Sequence, residues 1–108
     1  MLKVDTTTLA DIVNQCFAFA SDGRFTLPQQ KALLADGKRL RGLLLNLLSA
    51  QFDDGTPAVV DANNQLLGVN NDLADATAAL ANVAKTLGDV ANLVGNLDQL
   101  LNIAVSFI

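Results

Sequence analysis

Residues 57–108 read PAVVDANNQLLGVNNDLADATAALANVAKTLGDVANLVGNLDQLLNIAVSFI, and one apolar pattern runs their whole length. Val59, Ala62, Leu66, Val69, Leu73, Ala76, Leu80, Val83, Leu87, Val90, Val94, Leu97, Leu101, Ala104 and Ile108 alternate steps of three and four without a slip. A period of 3.5 residues holds one side of an α-helix toward a partner and implies left-handed supercoiling. Bundles share that spacing with true coiled coils, so the pattern establishes helix and leaves the architecture open.

Two places offer a stop followed by a cap: Gly68-Val69-Asn70-Asn71-Asp72 and Lys85-Thr86-Leu87-Gly88-Asp89. A loop is free to reset helical phase, and the phase survives both glycines. Continuity over 57–106 is therefore the expectation. Such a helix is roughly 75 Å long at 1.5 Å per residue, against roughly 35 Å across a compact globule of this chain length. Its second half is also the more apolar, carrying only Lys85, Asp89 and Asp98 as charges from Val83 onward. A bare face of that extent marks an interface.

Upstream, the same logic gives two shorter helices. Over residues 5–20, Leu9, Ile12, Val13, Cys16, Phe17 and Ala20 share one face, with Asp5 or one of Thr6 to Thr8 as cap and Gly23 as stop. Thr26-Leu27-Pro28-Gln29 is a capping-box start with proline in the first turn. That second helix is expected over 27–52, burying Leu33, Leu40, Leu43, Leu44 and Leu47, until Asp53-Asp54-Gly55 ends it. Gly37 and Gly42 weaken it by about 1 kcal/mol each against alanine, and offer a neighbouring helix close approach.

The fold expectation is a single all-α domain over 1–108. A helical hairpin packs on a long C-terminal amphipathic helix that dimerisation completes, antiparallel. Its interface is expected at Leu87, Val90, Leu93, Val94, Leu97, Leu100, Leu101, Phe107 and Ile108. On this reading, replacing Leu93 and Leu100 by Asp yields a monomer that keeps much of its helix over residues 5–80. The alternative is a monomeric up-down four-helix bundle with a break near Gly88. A folded monomer of 11.3 kDa should expose roughly 5,700 Å².

Composition narrows the chemistry. The chain has no His, Trp, Tyr or Glu and a single cysteine, Cys16. Zinc sites built on His or Cys clusters have no ligands here, and no phosphate-cradling glycine fingerprint is present. The Ser21–Thr26 segment resembles the second half of an EF-hand loop. Ala18 and Ala20 stand at its first two ligand positions, however, and Gln29 at its last, so it reads as a plain turn. Cys16 lies on an apolar face and reads as buried filler. No catalytic residue, metal site or cofactor is expected.

Charge is uneven despite a net of −4. Lys31, Lys38 and Arg41 share a helix face by their spacings of seven and three, which makes a candidate anion or acidic-partner patch. Aromatic residues do not interleave with it and the overall balance is acidic, so nucleic acid is not the expected partner. The expected neighbour is the acidic first half of the long helix, lying antiparallel. No stretch is long and apolar enough to span a bilayer, and no secretory signal follows Met1. With one cysteine and no disulfide framework, a cytoplasmic setting is expected. These readings combine in a non-catalytic helical scaffold or adaptor, acting by self-association or by docking a protein partner through the heptad-patterned helix. The alternative is lipid-surface or hydrophobic-ligand binding through the apolar face of that helix, without spanning.

Overall fold

Asp5 caps the first helix, its carboxylate accepting from the Thr8 backbone N–H at 3.1 Å and from the Thr8 hydroxyl at 2.7 Å. At the second helix the capping box is complete. Gln29 N donates to Thr26 Oγ1 at 3.3 Å, and Thr26 N donates to Gln29 Oε1 at 2.9 Å. The computed structural model describes residues 3–52, 56–78 and 82–102. Among them run four helices: α1 (Thr6–Ala20), α2 (Leu27–Leu47), α3 (Pro57–Ala78) and α4 (Val83–Leu101).

The segment expected as one rod is therefore two helices. The break falls between Ala78 and Val83, and both Gly68 and Gly88 lie inside helices. Asn82 starts α4 without a side-chain cap bond. Phase continuity did not discriminate, for a geometric reason. In an antiparallel helical hairpin both seams face one core, and here the step across the turn, Ala76 to Val83, happens to equal one heptad.

Side-chain bonds set the helix directions. Asp5 N donates to Asn63 Oδ1 at 2.7 Å, and Gln15 Nε2 donates to Asn70 Oδ1, so α1 and α3 run parallel. Asn96 Nδ2 donates to Gln65 Oε1 at 3.0 Å and Lys85 reaches Asp72, so α3 and α4 run antiparallel. Neighbouring pairs are α1/α2, α2/α4, α4/α3 and α3/α1. Among the described residues α2 and α3 do not touch, nor do α1 and α4. The bundle is a square with α2 and α3 on one diagonal. This overturns the expected pairing of the basic helix with its acidic successor.

Helix α2 stops at Leu47, short of the expected Phe52, because the chain must leave it to cross the bundle end diagonally toward α3. Ala50 and Phe52 on that crossing are fully buried and close the end of the core. The proposed stop at Asp53-Asp54-Gly55 lies outside the described residues. Phe19 and Phe25 meet edge to face, 5.1 Å between centroids, where α1 turns into α2. The core itself takes Leu9, Ile12, Leu33, Leu40, Leu66, Leu73, Leu93 and Leu97, among others. The folded chain exposes 5699 Å², matching the area expected of a compact monomer of its mass.

The two α2 glycines have opposite surroundings. A Cβ on Gly37 would lie 3.0 Å from Phe17 Cε1 and 3.2 Å from Cys16 Cβ, whereas one on Gly42 meets nothing within 4 Å. Only Gly37 serves close approach. Gly42→Ala is expected to stabilise the fold by up to about 1 kcal/mol through helix propensity. Gly37→Ala should lose about 1 kcal/mol net, since overpacking costs about 1–3 kcal/mol. Urea denaturation of the two variants checks this; equal midpoints would mean that α1 and α2 lie further apart.

Candidate interaction surface

The residues expected to form an exposed interface lie mostly inside. Val90, Leu93, Val94, Leu97 and Leu100 are buried in the core of the single chain, and Leu87 and Leu101 pack half-buried against it. Phe107 and Ile108 lie outside the described residues. The wide apolar stripe of α4 is spent on α3 and α2. It offers no docking face, and it offers no lipid face, while the bundle is intact.

Thr86, in the same region, is the buried polar residue of α4. Its hydroxyl lies 3.0 Å from the Asn82 carbonyl oxygen and 3.3 Å from that of Asp72, which ties the first turn of α4 to α3. Beside it the Lys85 ammonium sits 3.2 Å from Asp89 and 3.5 Å from Asp72. The Asp89 carboxyl pushes the Asp72 pKa up, while hydrogen bonding to Asp72 and then Lys85 holds Asp89 down. Lys85 is exposed and the two aspartates are half-buried, so solvent screens both pairs. They fasten a hairpin. The two shallow grooves between α3 and α4, about 420 Å³ and 220 Å³, are lined chiefly by amides, carboxylates and small residues, Gln65 common to both.

Cys16 is buried and Asp22 is bonded within its own turn. Burial, and then the Asp36 charge, push the Cys16 thiol up to about 12, so it stays protonated at neutral pH. Asp22 in the α1–α2 turn accepts from the Arg24 guanidinium at 2.7 Å and from its backbone N–H at 2.9 Å. That consumes the carboxylate which the EF-hand-like reading would have offered to a cation. Among the described residues no cluster of three or more metal-ligating side chains occurs. Nor, among those residues, is any helix long and apolar enough to cross a membrane.

Lys31, Lys38 and Arg41 do share one exposed face of α2. Leucines expose themselves in the same column. Leu27, Lys31, Leu34, Lys38, Arg41, Leu45 and Leu48 follow steps of four and three over 22 residues, a second heptad seam pointing away from the core. Leu27 and Leu45 are 62% and 64% exposed, the highest among the large apolar side chains described. Among the described residues none of the three cations pairs with a carboxylate; the Arg41 guanidinium stands 5.9 Å from the Phe17 ring centroid. The sequence carried this signal in the leucines at the intervening positions, which a search for one apolar face per helix passes over. No protein-family model, curated protein or solved structure matches the chain.

Proposed function

We propose that this chain is a non-catalytic helical adaptor, a four-helix scaffold that docks an acidic amphipathic partner along the outer face of α2. The supporting observation is the exposed leucine–cation column from Leu27 to Leu48, whose cations pair with no carboxylate among the described residues. Exposed leucines at heptad spacing match a second helix laid alongside. Interleaved cations select acidic neighbours and repel a second copy of the same column. The docking face thus moves from α4, where the sequence put it, to α2. A lone protonated thiol suits a cytoplasmic setting.

A lipid surface fits this column less well. Membrane-surface helices present a broad apolar sector with cations on the opposite or flanking face. Here the cations stand in line with the leucines. Fluorescence anisotropy with a labelled heptad peptide of alternating Leu and Glu tests the reading. Binding should be saturable and weakened by salt, and the Lys31→Asp/Lys38→Asp/Arg41→Asp variant should weaken it about tenfold or more. Undiminished binding by that variant, or preferential binding to anionic phospholipid vesicles, would sink it.

A further inference from the structure

Besides those on α2, two further large apolar residues are strongly exposed among the described residues: Val60 and Leu67, both on α3 and both 52% exposed. They stand seven residues apart, as do Leu27 and Leu34, about 10 Å along a helix. Asp61 and Asp75 are exposed beside them. Four cations against Asp36 leave α2 at +3, while Asp61, Asp72 and Asp75 leave α3 at −3. The helices are also matched in length, at 21 and 22 residues. One chain therefore carries both halves of an apolar, oppositely charged contact. Being on diagonal corners, α2 and α3 cannot make it with each other.

We infer that the acidic partner of α2 is the outer face of α3 on a second copy of this chain, so that molecules associate head to tail. This rests on the docking reading above and names its occupant. Because the two faces point in opposite directions, a two-fold axis cannot form both contacts at once. The contact is heterologous and continues into an open chain or a ring. It replaces the antiparallel dimer expected from the sequence. The contact is a single helix pair about 30 Å long, a narrow seam beside the broad interfaces of stable complexes. Assembly is accordingly weak, reversible and sensitive to salt.

Sedimentation velocity over a wide concentration range, at low and high salt, tests this with two variants. Lys31→Asp/Lys38→Asp/Arg41→Asp makes both faces acidic; Asp61→Lys/Asp75→Lys makes both basic. The unaltered chain should form species larger than dimers that salt dissolves. Each variant alone should be monomeric, and an equal mixture should associate again, since every contact then joins opposite signs. The basic variant has a net charge of zero against −4 for the unaltered chain, so its loss of assembly cannot arise from general repulsion. Circular dichroism confirms that both variants keep their helices. An unaltered chain that stays monomeric yet binds the Leu/Glu peptide overturns the second-copy inference and leaves the docking reading standing. A chain that neither associates nor binds the peptide overturns both. Association that survives both charge reversals overturns the assignment of these faces.

Discussion

Leu93→Asp is expected to abolish cooperative folding at 25 °C and neutral pH, whereas Leu34→Asp, the same chemical change on α2, should leave the helix content intact. Leu93 is fully buried and Leu34 is 40% exposed. Removing a buried leucine side chain alone costs about 2–5 kcal/mol. Burying an unpaired carboxylate adds several more, as no cation stands among the buried residues of this core. The sum approaches the whole stability of a domain this size, about 5–15 kcal/mol. At the exposed site the change is in propensity and solvation only, within about 1 kcal/mol. Far-UV circular dichroism separates the two at once. If Leu93→Asp remained helical and merely changed its sedimentation, α4 would be an exterior helix after all, as the unbroken heptads suggested.

Phe52→Ala carries the second largest effect, about 3–5 kcal/mol, which lowers Tm by roughly 15 °C or more at about 4–8 °C per kcal/mol. Phe52 belongs to no helix, and sequence patterning alone would class it as the frayed end of α2. It is nevertheless fully buried, because the diagonal step from α2 to α3 carries it across the open end of the bundle. Truncation leaves a cavity in the core cluster to which Phe52 belongs, and surrounding structure relaxes only partially to fill such a void. Thermal denaturation followed at the helical band checks this. A shift of only a degree or two would mean that the crossing segment lies on the surface.

The start of α2 was legible to the residue, and α1 began one residue beyond Asp5, which caps it. Caps are local: Asp5 and Thr26 sit within three residues of the N–H groups they satisfy. The place of the doubling back, between α3 and α4 and not near Gly88, was not legible. A helix that continues and a hairpin that folds both satisfy the same seven-residue period, and what separates them is whether a partner covers the seam. Asparagine is a poor helix former. In the fold Asn63 and Asn70, one heptad apart, bridge α3 to α1, a role visible only once the two helices lie side by side.

The interaction surface divides in the same way. Lys31, Lys38 and Arg41 could be placed on one face from their spacing alone. So could the inward leucines: Leu33, Leu40, Leu43 and Leu47, expected inside, are buried, and Leu44 is half-buried. The outward column of Leu27, Leu34, Leu45 and Leu48 became visible only with the exposure of each side chain. Sequence by itself determined that this chain is helical, where two of its helices begin, and which cations share a side. Tertiary structure decided which other leucines of α2 stay exposed, and that the apolar stripe of α4 is covered by its own chain. Hydrogen-bonded helix geometry is set by near neighbours along the chain, whereas burial depends on surfaces brought together from far apart in it.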